Sequence, residues 1–292
     1  MDPFTVFSIL LALSFALTYA QHVHPSPVLG ILGHWMRWAF FAAALTAVAK
    51  NVFDDERPAW LWAATGLLLW PLLETIYTWF IVISDISHSS QPLFPRFSLN
   101  LGGDAWPNQR RFIELREWLR RERFRPVQSL KAGAEEEQVW RVSVFHDAVN
   151  CTRLQVMFIP QATGNVAVCF SFSSNSRSGA RLVTDNVYLP FGGFYPVNWE
   201  VERRPWTRAP KTLLRFHRRR LGALNEPCVP FEDEPLHDLN QQQQVLERTN
   251  TEFGFLFPRN LHEEHGRITW EGRYRYWKET WLLDYFGRPG RY

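Results

Sequence analysis

Three apolar stretches near the N-terminus dominate the hydrophobic pattern of the chain, at 4–20, 28–49 and 59–83. The third has 25 positions, which as a helix would extend about 37 Å, enough to cross a hydrocarbon core of about 30 Å with some tilt. We therefore predict three transmembrane helices within residues 1–84. The first stretch could instead be a signal peptide, but the start Met1-Asp2-Pro3 lacks basic residues, so we favour a retained helix.

The pattern changes after the third stretch. Residues 85–106 show little periodicity and contain Pro, Ser and Gly102-Gly103, which is typical of a linker. Beyond it, residues 107–292 have the patterning of one folded domain. Helical periodicity predicts amphipathic or partly apolar helices at 110–124, 210–224, 236–253 and 269–286.

Strand-like alternation with a period of two appears between the first two of these helices. It predicts strands at 140–144, 154–158, 166–172 and 181–189, each with one buried face. Keeping apolar residues together across a turn at 161–164 pairs Leu154 with Phe170, and a slip of one residue would bury polar side chains instead. The same register pairs Val156 with Val168, and Phe158 with Val166. The predicted class is α+β, an antiparallel meander of about four strands packed against amphipathic helices.

The distribution of charge along the chain places a modest constraint on its binding partners. Residues 1–84 hold three Lys/Arg and five Asp/Glu, which leaves 29 and 24 for the rest of the chain, a net charge of about +5. Nucleic-acid binders usually concentrate far more positive charge on one face, so nucleic acid is disfavoured as a partner.

Sidedness follows from weaker signals. Lys and Arg next to the predicted spans are too few to set an orientation. The arginine-rich segment at 110–125 favours the cytoplasmic side. A reducing compartment is favoured by the three scattered cysteines, Cys151, Cys169 and Cys228. We expect an integral protein of the inner or plasma membrane with its soluble domain in the cytoplasm.

Two charges fall inside the predicted spans. Arg37 lies nine residues after Val28, and Glu74 lies nine residues before Ile83, so in antiparallel helices both would sit about 13 Å from the same membrane face. A lone charge at such a depth costs at least ~2.5 kcal/mol. We predict a structural ion pair; snorkelling of Arg37 and a proton path are the alternatives.

Candidate catalytic residues are sparse. His146 and Asp147 precede Asn150 and Cys151 at one end of the predicted sheet, which could form a Cys/His nucleophile pair, although turn chemistry alone accounts for polar residues at strand ends and is the explanation we favour. Asp185 lies in a predicted turn or bulge, and His217 is interpreted as solvated on a basic helix.

Metal and cofactor motifs are incomplete. The sequence His262-Glu263-Glu264-His265 is one residue short of the H-E-x-x-H zinc motif. No phosphate-binding loop, dinucleotide fingerprint or nucleophile elbow is present in the sequence, and we predict neither a metal nor a cofactor.

Two surfaces are predicted to bind partners. The basic faces of the helices at 110–124 and 210–224 are expected to meet anionic lipid headgroups, and an ordinary solvated helix face is the alternative. Their arginines are Arg110, Arg111, Arg116, Arg120, Arg121, Arg215, Arg218, Arg219 and Arg220. The last helix carries Trp270, Tyr274, Trp277 and Trp281 at spacings of four, three and four. Such a stripe most often packs in a core; docking of a protein partner and a place in the bilayer interface are the alternatives.

Two functional hypotheses follow. In the first, the soluble domain is a membrane-proximal binding, sensing or scaffold module. In the second, the protein is a membrane-tethered enzyme acting on a lipid or another interface-bound substrate. Convergence of His146, Asp147, Asp185 and His217 in one pocket would favour the enzyme.

Overall fold

The computed structural model describes residues 3–23, 26–53, 55–88, 93–103, 106–107, 110–132, 139–160, 166–258 and 268–290. The chain divides into two compact units. The first comprises Met1–His88, Pro190–Gly192 and Arg273–Arg291, and the second comprises Ser89–Leu189, Gly193–Gly272 and Tyr292. The sequence placed residues 107–292 in one domain, whereas this division groups Arg273–Arg291 with the N-terminal helices.

Eight α-helices are described. They are α1 (Pro3–Val23), α2 (Pro27–Asn51), α3 (Ala59–Tyr77), α4 (Ile83–His88), α5 (Arg110–Arg121), α6 (Pro210–Ala223), α7 (Pro235–Glu252) and α8 (Trp270–Phe286). A π-helical turn, Thr78–Val82, joins α3 to α4. Among the described residues, Phe4–Val23, Pro27–Asn51 and Ala59–Ile81 are long and apolar enough to cross a membrane. The prediction of three apolar N-terminal helices is confirmed.

Small residues bring α2 and α3 together. A Cβ atom at Gly66 would lie 2.7 Å from the Cα atom of Ala42, so the two backbones approach too closely for a larger side chain. One turn further on, α3 contains Pro71, which has no N–H to donate to the carbonyl oxygen of Leu67. The indole of Trp38 donates to that oxygen at 2.8 Å, so a side chain of α2 replaces the lost backbone bond.

The second unit contains an eight-stranded sheet. Its strands are β1 (Phe97–Leu99), β2 (Arg125–Ala132), β3 (Trp140–His146), β4 (Arg153–Pro160), β5 (Val166–Ser176), β6 (Arg181–Asp185), β7 (Trp199–Arg203) and β8 (Cys228–Val229). The spatial order follows the chain order from β1 to β7, and β8 pairs with β5. All described pairings are antiparallel except that between β6 and β7. The predicted mixed class with an antiparallel meander is confirmed, but the sheet has more strands than the four expected.

The predicted register between β4 and β5 is wrong by two residues. Val156 pairs with Phe170 and Leu154 with Phe172, whereas the sequence analysis paired Val156 with Val168. Because side chains alternate with a period of two, an offset of two keeps every residue on its predicted face. The hydrophobic pattern sets the face, whereas the connection between strands sets the offset. The predicted turn at 161–164 lies outside the described residues.

Both faces of the sheet are covered, and not one face as expected. On one face, apolar residues of β3, β4 and β5 form a buried cluster with α5 and α6; its members include Phe112, Leu115, Leu119, Leu154, Val156, Phe172, Leu213 and Leu214. On the other face, Leu130, Val142 and Val144 pack against Leu239 of α7. Polar residues that alternate along β4 and β5 lie on this second face and are buried rather than solvated.

Candidate functional site

The helix α5 presents a dense basic surface. Phe112, Leu115 and Leu119 anchor it to the sheet because they recur at helical spacing on one side. The side chains of Arg110, Arg111, Arg116, Arg120 and Arg121 are exposed on the rest of its surface. The helix ends at Arg121 and not at 124, because Arg123 adopts a left-handed conformation with φ 60° that no helical residue takes.

The helix α6 packs on the same face of the sheet and adds a second row of cations. Leu213 and Leu214 are buried against the cluster shared with α5, while Lys211, Arg215, Arg218 and Arg219 are exposed. An ion pair of 3.1 Å joins Arg218 to Glu122, which follows α5 directly. The two basic helices therefore form one surface, which we call the basic face.

One predicted member of this surface is held inside the protein. The guanidinium of Arg220 is half-buried and donates to the hydroxyl of Thr184 at 2.7 Å and to the carbonyl oxygen of Glu200 at 2.9 Å. It also pairs with Glu202 at 3.0 Å. These bonds tie α6 to β6 and β7, so the role of Arg220 is structural.

Few carboxylates neutralise the basic face. Arg110 pairs with Glu114 one turn away at 3.0 Å, and Arg116 lies 4.8 Å over the ring of Trp106. Within the described contacts, Arg120, Arg121, Arg215 and Arg219 make no ion pair, and all four are exposed. The surface therefore keeps a net positive charge that is free to attract anions.

His146 belongs to a buried polar network beneath α7. Its Nε2 atom accepts a hydrogen bond of 2.9 Å from Nε of Arg153, which is wholly buried. The Arg153 guanidinium also bonds Asp238 of α7, and Arg181 reaches the same carboxylate at 2.9 Å. Burial and the adjacent Arg153 charge lower the pKa of His146 to about 4. His146 is therefore neutral near pH 7 and accepts a hydrogen bond.

His217 lies on the opposite face of the sheet and is wholly buried, so the prediction of a solvated side chain is wrong. Its ring connects Ser174 of β5 with Thr184 of β6, each at 3.0 Å. Burial, followed by the charges of Arg220 and Arg218, lowers its pKa to about 3. The position was predictable in part, because His217 follows Leu213 and Leu214 at helical spacing.

The two carboxylates have local structural roles. Asp147 accepts a bond from the backbone N–H of Cys151 at 2.8 Å, closing the turn in which Asn150 has φ 57°. Asp185 is buried at the end of β6, accepts from the N–H of Val187 at 3.0 Å and lies 3.7 Å from Arg203. Such bonds are ordinary turn chemistry.

The four candidate catalytic residues therefore occupy separate surroundings. His146 lies under α7, His217 lies under α6, and the two aspartates close local turns or strand ends. This arrangement gives the enzyme hypothesis no geometric support. Among the described residues, no group of three or more His, Cys, Asp and Glu side chains is placed to hold a metal ion. The motif at 262–265 lies outside the described residues.

The predicted intramembrane charges are bridged by a histidine. Arg37 donates to Nδ1 of His34 at 2.8 Å, and the same atom lies 3.6 Å from the Glu74 carboxylate. Glu74 also accepts a bond from the hydroxyl of Tyr285 in α8. Within the described contacts Arg37 and Glu74 make no direct ion pair, so direct pairing stays a prediction, with His34 standing between the two groups.

The C-terminal helix is buried mainly on the side opposite its tryptophan stripe. Glu279 and Leu283 on that side are buried, whereas Trp270 is exposed and Trp277 and Trp281 are half-buried; Tyr285, which continues the stripe four residues after Trp281, is buried. Glu279 accepts from the backbone N–H of Phe191 at 3.4 Å.

Sequence reasoning missed the polar partners His34, Arg153, Asp238 and Tyr285. Arg153 and Asp238 lie 85 positions apart, and no local pattern connects residues at that separation. His34 was the exception, because it lies one turn before Arg37 on the same helix and is a further ionisable residue within a predicted span.

Comparison with protein-family models, curated proteins and solved structures finds no match to this chain.

Proposed function

We propose that this chain is an integral membrane protein whose second unit binds anionic lipid headgroups through the basic face of α5 and α6. One observation carries the proposal: two arginine-rich helices lie on the same side of one sheet, with most of their cations exposed. Three apolar helices long enough to span a bilayer support membrane attachment.

Electrostatics gives the interaction its strength. Each Lys or Arg near an anionic membrane surface contributes roughly 1 kcal/mol, and this attraction fades over a Debye length of about 8 Å at physiological salt. Arg120, Arg121, Arg215 and Arg219 are exposed and have no carboxylate partner among the described residues, so they would give a salt-sensitive attachment. Anionic lipids are concentrated in cytoplasmic leaflets, so we place the second unit on the cytoplasmic side.

A binding, sensing or scaffold role accounts for this surface better than catalysis. The histidines and aspartates that an enzyme would need are engaged in separate structural bonds. Attachment of the second unit to the bilayer would set its position and would respond to the charge of the membrane.

Flotation with full-length protein tests the proposal. Protein reconstituted in phosphatidylcholine nanodiscs offers its basic face to added vesicles, because its own bilayer is neutral. We expect binding to vesicles containing phosphatidylserine, little binding to phosphatidylcholine vesicles, and release as salt rises. Replacing Arg215 and Arg219 with Gln should weaken binding roughly 30-fold, at about 1 kcal/mol for each charge.

The matched control removes two other exposed arginines. Arg177 lies in the turn after β5 and Arg248 lies on α7, away from the basic face, so Arg177→Gln with Arg248→Gln should bind vesicles as the unaltered protein does. Equal losses in both double variants would show a general charge effect and contradict the proposal. Binding to nucleic acid in preference to anionic vesicles would contradict it as well.

A further inference from the structure

Charge is distributed unevenly along the C-terminal helix α8. Its first ten residues contain five charges, at Glu271, Arg273, Arg275, Lys278 and Glu279. The final stretch 281–286, with the sequence WLLDYF, contains only Asp284. A helix that is polar at one end and apolar at the other suits an oblique entry into a bilayer.

The apolar end of α8 contacts side chains of two candidate membrane spans. The indole of Trp35 in α2 donates to the carbonyl oxygen of Tyr285 at 2.9 Å. The indole of Trp70 in α3 donates to the Tyr285 hydroxyl at 3.1 Å, and that hydroxyl donates to Glu74. The ring of Phe286 packs edge-on against Trp35, with centroids 6.1 Å apart.

These contacts lie well inside the spans. Glu74 is seven residues before Ile81, the end of the third span, and Trp35 is eight residues after Pro27, the start of the second. At 1.5 Å per residue, each lies roughly 10 to 12 Å along its helix from the span end. Because α8 touches both, its apolar end is at a depth where hydrocarbon surrounds the spans.

We propose that the C-terminal end of α8 is inserted in the bilayer, with phospholipid acyl chains covering Phe286 and the outer side of Trp281. Phe286 is 43% exposed although it borders residues of the spans. The outward surface of those spans is also apolar and exposed, as at Leu68 and Phe80, so the same lipid continues across α8.

Two ionisable side chains at the apolar end of α8, Asp284 and Tyr285, have partners on the spans, which lowers the cost of insertion. His34 Nε2 lies 3.9 Å from the carboxylate of Asp284, and Tyr285 bonds Glu74. Two carbonyl oxygens in the last turn of α8 are also bonded: that of Leu283 accepts from the backbone N–H of Gly287 at 2.8 Å, and that of Tyr285 accepts from Trp35. These bonds lower the cost of placing the end of the helix in hydrocarbon.

Nitroxide labels attached to the protein in liposomes show directly whether residue 286 lies in lipid or in water. In a cysteine-free variant (Cys151→Ser, Cys169→Ala, Cys228→Ser), one label replaces Phe286, one replaces Leu68 in the third span, and one replaces Val197. Leu68 is 77% exposed and Val197 in the second unit is 98% exposed. Collisions with oxygen report lipid, and collisions with a water-soluble nickel chelate report water.

We expect oxygen to increase the relaxation rate of the label at 286 and the nickel chelate to have little effect on it. The label at 68 should behave in the same way, and the label at 197 should show the reverse. A label at 286 that behaves as the one at 197 would overturn the inference. A label at 286 that neither reagent reaches would indicate a protein covering α8 and would overturn it too.

A second measurement keeps the native cysteines. With the photoreactive amino acid benzoylphenylalanine in place of Phe286, irradiation in liposomes should add the mass of a phospholipid. An adduct to protein alone, or no adduct, would contradict insertion. Neither result depends on the basic face, so failure here would leave the headgroup proposal standing, and the converse also holds.

Discussion

Buried histidines illustrate how position, and not residue type, decides protonation in this protein. His146 and His217 lie on opposite faces of the sheet, and each is hydrogen-bonded and enclosed. Burial disfavours the charged imidazolium, and a nearby arginine adds repulsion in each case. Both rings are therefore uncharged structural connectors.

Acid should destabilise the second unit through these two rings. In an unfolded chain a histidine titrates near pH 6.5, whereas the folded pKa values are about 4 for His146 and about 3 for His217. Between pH 6.5 and 4 the unfolded state binds more protons. Stability is thus fully present above pH 6.5 and falls as pH drops, by at most about 1.4 kcal/mol per pH unit for each ring.

Ring carbon NMR of histidine-labelled protein checks this prediction. The signals of His146 and His217 should remain those of neutral imidazole at pH 5, and the urea midpoint for proteolysis of the second unit should be lower at pH 5 than at pH 7. A His217 signal that titrates between pH 6 and 7 would contradict the enclosed geometry.

At the scale of elements, the helices were predictable and the sheet only in part. Predicted helices at 210–224 and 236–253 match α6 and α7 within about a residue, because their apolar residues recur at helical spacing. In β2 only Leu130 and Ala132 are buried, so it lacks the alternation that marks a strand. The remaining unpredicted strands, β1, β7 and β8, are short.

Burial of the sheet face that packs against α7 was not predicted, because polar residues occupy that face. Arg153, Gln155 and Ser173 alternate with apolar residues and resemble a solvated face in the sequence. All three are nevertheless buried, and the charge of Arg153 is neutralised by Asp238 of α7. A distant partner of this kind leaves no local trace, so the sequence predicted the residues of the basic face but not the network beneath α7.

The pairing of α2 with α3 leads to a testable prediction about Pro71. Because Trp38 donates to the carbonyl that Pro71 leaves free, Trp38→Phe should destabilise the protein by about 1–2 kcal/mol. In a Pro71→Ala background the same substitution should lower the free energy of unfolding by much less, about a third of that amount. The reason is that the backbone N–H of residue 71 can then donate to the carbonyl oxygen of Leu67. Unfolding in mixed micelles with increasing dodecyl sulfate measures both costs.

An equal cost of Trp38→Phe in the two backgrounds would contradict the prediction. It would show that Trp38 acts through packing of its ring, which also contacts Trp35 and Tyr285, and not through the hydrogen bond to Leu67.

For the whole molecule, two independent membrane contacts are proposed in addition to the three candidate membrane spans. The apolar end of α8 is proposed to enter the hydrocarbon layer, and the basic face of α5 and α6 is proposed to bind headgroups. The sequence predicted a linker at 85–106 between the apolar helices and a soluble domain, and a connection that short would keep the domain close to a bilayer that the helices cross. Confinement raises the effective concentration of headgroups at the basic face.

The central claim is that the basic face lies against an anionic membrane, and headgroup quenching tests it most directly. A fluorophore is placed in the cysteine-free variant at Ile113 on α5 or at Val245 on α7, positions 54% and 38% exposed on helices that cover opposite faces of the sheet. Full-length protein is reconstituted in nanodiscs that carry a headgroup quencher, with or without phosphatidylserine.

We predict strong quenching at 113 with phosphatidylserine, weaker quenching in its absence or at high salt, and little quenching at 245 throughout. Equal quenching at the two positions, or quenching at 113 that ignores both lipid charge and salt, would contradict it.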